Sequence, residues 1–224
     1  MRVVSLNCAG GLLEAAREVA AYRPDVVLLQ ESPGAKEVRT LARELFGEAA
    51  SALPGVDASI IVNGQLEPRM LPRKEAMSFV QARARLTNGL EAEVVSLRLL
   101  PACIRVDLWS PTCWREHSAN RRDRREMMAA IANRLHALPH EVPVVVGGDF
   151  NAPPGDAVFR LLGTRLRDAY HEAGVGLGNT IENSTPLIRI DQVWVSEQLV
   201  ADAVVARKTT HSDHRLVVCD LRLR

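Results

Sequence analysis

Three short runs rich in valine and leucine, each delivering polar side chains at its end, restrict the fold more than any other feature. They are residues 2–7, ending at Asn7; residues 25–30, followed by Glu31; and residues 142–148, followed by Asp149. Runs this apolar on both faces are strands of a covered sheet rather than half-exposed, alternating ones. Residues 12–22 between the first two have helical spacing, and Pro24 opens the second run. Strand, helix, strand in that order implies a parallel pair with a right-handed crossover. Asn7 and Glu31 are thereby placed side by side at carboxyl ends, where sites form in α/β sheets.

The rest of the chain continues the alternation. Residues 36–46 read as a helix, 59–62 as a strand, and 78–86 and 91–99 as an antiparallel pair across the turn Thr87-Asn88-Gly89. Met127, Met128, Ile131, Leu135 and Leu138 share one face of a helix over 120–138, with Ser118 or Asn120 as its N-cap. After Pro153-Pro154-Gly155 come a short helix at 157–162, a loop-rich stretch to Arg189, and strands at 190–195, 203–207 and 216–223. No linker or repeat interrupts the chain, so residues 1–224 read as one α/β domain.

Composition excludes some partners. With 28 basic and 27 acidic residues the formal charge is +1, so any attraction to nucleic acid is local. Four scattered cysteines, Cys8, Cys103, Cys113 and Cys219, form no C-x-x-C pair, against a thiolate zinc site or a disulfide scaffold. They fit buried residues in a reducing compartment. No signal-like or membrane-length apolar stretch is present, and the expected location is cytoplasmic without membrane insertion.

The chemistry sits at strand ends. Asp149 and Asn151 follow a buried strand two positions apart on one face, with Phe150 turned into packing; the bland alternative is an Asx-turn. The run His211-Ser212-Asp213-His214 supplies an acid and an imidazole before the last strand. Asp191 in Arg189-Ile190-Asp191 is either a catalyst or a structural hydrogen-bond acceptor. With Asn7 and Glu31, several distant segments offer oxygen or imidazole donors, a set that suits a hard cation such as Mg²⁺.

Leu6-Asn7-Cys8, Gln30-Glu31, Gly148-Asp149-Phe150-Asn151, Arg189-Ile190-Asp191 and Ser212-Asp213-His214, in this order, resemble the motifs of the endonuclease/exonuclease/phosphatase (DNase I-like) superfamily from end to end. The resemblance implies a four-layer α/β sandwich, two mixed β-sheets face to face with helices outside. It also implies a Mg²⁺-dependent hydrolase of phosphate esters, with Mn²⁺ as the substitute metal and a phosphodiester or nucleic acid as the partner. A small molecule or lipid headgroup is the alternative substrate. By matched position, Glu31 binds the metal with Asn7 and Asp213 close by, and Asp149 orients or deprotonates water. Asn151 and His214 contact the phosphate, and Asp191 holds the other ring nitrogen of His214.

The chain also departs from that family. Arg98 stands where a histidine is usual, at the end of a central strand; it reads as a phosphate-binding guanidinium, as an outward surface residue, or as the mark of a non-catalytic phosphate binder. Ala9 replaces an acidic residue found in abasic-site endonucleases, which weakens a DNA-repair role. Trp109 and Trp114 are expected to pack under a loop, with stacking on a base or sugar as the alternative. The run Arg121-Arg122-Asp123-Arg124-Arg125 reads as a solvated helix face or a phosphate contact. A zinc site on His211, Asp213 and His214 is a third reading, opposed by the lack of helix-spaced histidines.

Overall fold

In the computed structural model, which describes residues 1–103, 105–163 and 165–224, the apolar runs form the expected strands. β1 (Arg2–Asn7) and β2 (Val26–Gln30) are parallel, with Asn7 opposite Gln30. The crossover between them is a short α1 (Leu13–Arg17) continued as a 3₁₀ turn at Glu18–Tyr22. There follow α2 (Ala35–Phe46), β3 (Ala50–Pro54), β4 (Ala58–Pro68), β5 (Phe79–Leu86) and β6 (Glu91–Arg98). Beyond them lie α3 (Pro111–His136), β7 (Val144–Asp149), a 3₁₀ turn at Ala157–Leu162, β8 (Leu166–Asp168), α4 (Ala169–Ala173), β9 (Asp191–Ser196), β10 (Leu199–Arg207) and β11 (Leu216–Leu223).

Alternate residues of the central strands enter different cores. Val26 and Leu28 of β2 join Ile60, Val94, Val145 and Val193, whereas Val27 and Leu29 pack with Val38 and Leu41 of α2. On the other half, Val144 and Val146 of β7 meet Met128, Ile131 and Leu135 of α3. The period-2 alternation thus buries both faces of each strand, as their continuous apolar composition requires.

One sheet of 11 strands, in the order β10-β11-β1-β2-β4-β5-β6-β7-β9-β8 with β3 beside β4, replaces the two separate sheets expected. The reason is β4, expected over four residues and running instead for 11. Its first half pairs with β2 and its second, from Gly64, with β5. At that junction Gly64 has φ +152°, and a Cβ would lie 2.1 Å from the Arg85 carbonyl oxygen, so only glycine lets the strand change partners there. The sheet curls until β1 and β2 lie close to β7.

Helix α3 begins at Pro111, well before the expected 120, so neither Ser118 nor Asn120 caps it. Proline at a first helical position needs no N–H partner, and Ser110 precedes it in extended backbone. Strand β3, strand β8 and helix α4 occupy segments without a legible period; five residues or fewer are too short to show one.

Candidate active site

The strand ends converge as the parallel crossover requires. Arg98 stands beside Asp149 across β6 and β7, and Asp149 is opposite Asp191 across β7 and β9. On the facing half, Asn7 and Glu31 close β1 and β2, and His214 comes just before β11, the antiparallel neighbour of β1. The curl joins the two sets: Asn7 Nδ2 donates to Glu31 Oε1 at 3.2 Å and to Asp149 Oδ2 at 3.0 Å. One fully buried amide therefore links two carboxylates that are 118 residues apart in sequence, positions 31 and 149.

Asp149 is delivered by a strand that could not lie there with a larger residue before it. Gly148 has φ +146°, and a Cβ would fall 2.0 Å from the Leu97 carbonyl oxygen of β6. Beyond it the Asx-turn and the shared polar face coexist, since Asn151 N donates to Asp149 Oδ1 at 2.9 Å and Asn151 Nδ2 to Asp149 Oδ2 at 3.2 Å. Asn151 (φ +46°) and Glu31 (φ +42°) both hold the left-handed conformation, strain of the kind that gathers at functional sites. Phe150 is fully buried against Phe159. Burial and the nearby charge of Asp191 push the Asp149 carboxyl up to about 7, against the opposing pull of His214 and its own hydrogen bonds.

His214 Nδ1 bonds Asp191 Oδ2 at 2.9 Å, both groups being buried. Burial alone would lower the imidazole pKa, but Asp191, then Asp149 and Asp213, outweigh it and raise it to about 9, so the ring is a cation at neutral pH. Its position is set from two sides. Ser212 Oγ accepts from His214 N at 3.0 Å and donates to the Asn7 carbonyl at 2.7 Å, while Thr180 Oγ1 accepts the Asp191 amide at 3.1 Å.

Arg98 turns inward. Its Nη2 donates to Glu31 Oε1 at 2.7 Å and its Nη1 to Asp57 Oδ2 at 3.1 Å. Its Nε is buried without a hydrogen-bond partner among the described residues, 3.9 Å from Asp149 Oδ2. Glu31 also accepts from Gly10 N at 2.6 Å; although burial acts to raise its pKa, Asn7, Arg98, this amide and His214 hold the carboxyl below its ordinary range. Asp213 is exposed, close enough to His214 for its charge to act on the ring. His211 turns away to Glu18 Oε1, 3.0 Å from its Nδ1, so the three-residue zinc reading does not assemble. Trp109 and Trp114 are exposed rather than packed under the loop, the indole of Trp114 donating to the Leu108 carbonyl at 2.7 Å.

With this geometry in place, the comparison with protein families is decisive: the endonuclease/exonuclease/phosphatase family matches residues 4–214. The chain belongs to that family. Its members are metal-dependent phosphoesterases. Among solved structures, a family member from Bacteroides vulgatus has a TM-score of 0.75 at 16% identity, over 100% of this chain and 98% of its own. The mannosyl-6-phosphatase of Bacteroides thetaiotaomicron has a TM-score of 0.73 at 14% identity, over 100% of both chains. TDP2 of D. rerio, complexed with a single-strand DNA product, has a TM-score of 0.70 at 18% identity, over 99% of this chain and 98% of its own. These likenesses show a shared fold. No curated protein sequence matches the chain.

The family's divalent metal can be tested against the residues present. Ligand atoms of Asp149, Asp191 and His214 lie within 4.8 Å of one another, and Asp191 Oδ1 is buried with no hydrogen-bond partner among the described residues. Carboxylate oxygens are what Mg²⁺ or Mn²⁺ prefers, so the donor chemistry fits. An imidazolium offers no lone pair, however, and His214 in its bonded, cationic form is a hydrogen-bond donor rather than a ligand. Among the described residues no helix is long and apolar enough to cross a membrane.

Sequence reasoning missed Asp57, and it named Arg124 only within the charged run, as a solvated face or a phosphate contact, without its bonds to the loop after β7. Asp57 precedes β4 as an ordinary turn acid and is tied to the site only by the reach of Arg98. Arg124 lies within a charged helical run, yet its Nη2 donates to the Phe150 and Asn151 carbonyls at 3.3 and 2.8 Å. Nothing in the local pattern distinguishes it from its neighbours.

Proposed function

We propose that the chain, acting as one domain, is a divalent-metal-dependent phosphodiesterase of nuclease type. The observation that carries this reading is the bridge of Asn7 from Glu31 to Asp149, beside the His214–Asp191 pair. In this reading Glu31 serves as the cation ligand, Asp149 as the base and His214 as the cationic donor, and the bridge holds the first two beside the third. Glu31, with Asn7 and Asp213 close by, would hold Mg²⁺ or Mn²⁺, which when bound neutralises phosphoryl charge and favours ionised water.

The protein groups do the rest. Asp149, with a proton affinity matched to neutral pH, takes the proton of the attacking water. His214 donates from Nε2, the ring nitrogen not bonded to Asp191, to a phosphoryl oxygen as negative charge builds there. Asn151 Nδ2, now shared between Leu99 O and Asp149 Oδ2, gives one of its hydrogens to the same group. Arg98 Nε, buried and without a partner among the described residues, adds a further cationic donor.

Hydrolysis of bis(p-nitrophenyl) phosphate and of oligonucleotides with Mg²⁺, and with excess chelator, tests the reading. Asp149→Ala and His214→Ala should each lower kcat by roughly 10²–10⁴-fold. Turnover that resists chelation and survives both changes overturns it. The same assay on sugar phosphates and lipid headgroups separates the small-molecule alternative, which the fold shared with a mannosyl-6-phosphatase supports. One observation favours a non-catalytic phosphate binder instead: Arg98 already places a positive charge on Glu31. Calorimetry showing phosphate binding with no Mg²⁺ binding, together with no turnover, would select it.

A further inference from the structure

Helical geometry divides the arginine run into two groups. Arg122 pairs with Asp123 and Glu126. Arg121, Arg124 and Arg125, spaced at i, i+3 and i+4, share another face and line a cavity of about 400 Å³ with Asp156, Ala157 and Val158. Among the described residues Arg121 and Arg125 form no ion pair, and Arg124, only 7% exposed, has a buried Nε with no hydrogen-bond partner. The carboxylate in the wall, Asp156, is engaged in accepting the Val158 amide at 2.9 Å. Three guanidinium groups against one carboxylate leave the cavity positively charged: Arg121 and Arg125 are exposed at its mouth, and Arg124 is buried in its wall with Nε unpaired among the described residues, an arrangement that favours an anion.

The cavity adjoins the catalytic loop. Arg124 Nη2 holds the carbonyl of Asn151 at 2.8 Å, and the side chain of Asn151 bonds Asp149. We propose that this cavity is a second phosphate-binding subsite, which takes a phosphate of the substrate other than the one cleaved. Planar guanidinium groups match phosphate oxygens two at a time, and the volume falls within that of small-ligand sites. That the phosphate belongs to the substrate rests on the phosphodiesterase reading; the anion site itself does not.

The test is calorimetric binding, in chelator, of thymidine dinucleotides without and with a 5′-phosphate, of a 5′-phosphorylated tetranucleotide, and of inorganic phosphate. Wild type is compared with the Arg121→Ala/Arg125→Ala double variant, two surface changes whose effect on folding is checked by Tm. The 5′-phosphorylated ligands should bind wild type about tenfold tighter than the unphosphorylated dinucleotide. The double variant should lose that preference, and its salt slope should fall by about 1 per lost contact. Affinity for the unphosphorylated dinucleotide should not change. Equal losses on all ligands, or none, overturn the proposal, as does inorganic phosphate binding to the arginines as tightly as the oligonucleotides do. Turnover of the same ligands with Mg²⁺ separates the two readings. A preference without hydrolysis removes the phosphodiesterase and keeps the anion site, whereas hydrolysis without a preference removes the subsite alone.

Discussion

His214 is a cation because of what surrounds it. Asp191 accepts its Nδ1 hydrogen bond, and with Asp149 and Asp213 it outweighs the burial that would otherwise neutralise the ring. Asp191→Asn should therefore drop the imidazole from about 9 toward its ordinary 6.5, read by NMR titration, and lower kcat on phosphodiesters at neutral pH. An unchanged titration would remove the pair from the mechanism. Because the folded pKa of His214 is raised, its contribution to stability is complete below pH 6.5 and is lost as pH rises through about 9. Asp149, raised from 3.8 to about 7, acts in the same direction over its own window, since the unfolded chain releases that proton first. The metal-free protein should thus have a lower urea midpoint at pH 9 than at pH 5, and His214→Gln should flatten the upper part of that slope. At this scale Glu31, Asp149, Asn151 and His214 were legible because each ends or flanks an apolar strand. Asp57 and its pairing with Arg98 were not, because an ion pair 41 residues apart leaves no local trace.

Elements place these side chains, and the tightest placement is at the end of β7. A methyl group on residue 148 would meet the Leu97 carbonyl oxygen at 2.0 Å, and the φ of +146° is one that alanine rarely adopts. Gly148→Ala should cost about 2–4 kcal/mol in urea denaturation and displace Asp149, lowering activity in the fraction that folds. Stability within error of wild type would show that the strand can move aside. The strands with continuous apolar runs were read at nearly their true limits, because burial on both faces is written into every residue. Helix α3 was read nine residues short: the exposed tryptophan, arginines and glutamate near its start carry no apolar stripe.

At the level of the molecule, the site exists because one continuous sheet curls through β4 and brings β1 and β2 against β7. A metal held by that assembled site but not by the unfolded chain must stabilise the fold. At a Mg²⁺ concentration 100 times Kd the gain is about 2.7 kcal/mol, or roughly 5–10 °C in Tm for a chain of this size. Thermal unfolding with and without Mg²⁺ should show that rise in wild type and not in Glu31→Gln; a rise of equal size in the variant would move the metal away from Glu31. The amino-acid order alone determined which residues are strands, which polar groups stand at their ends, and to which family those groups point, because alternation, burial and end position are local properties. Only the tertiary structure decided that the sheet is continuous, that Arg98 faces Glu31, and that Arg124 reaches the catalytic loop. Those outcomes depend on where a long strand bends and how far side chains reach across space, which neighbours in sequence do not encode.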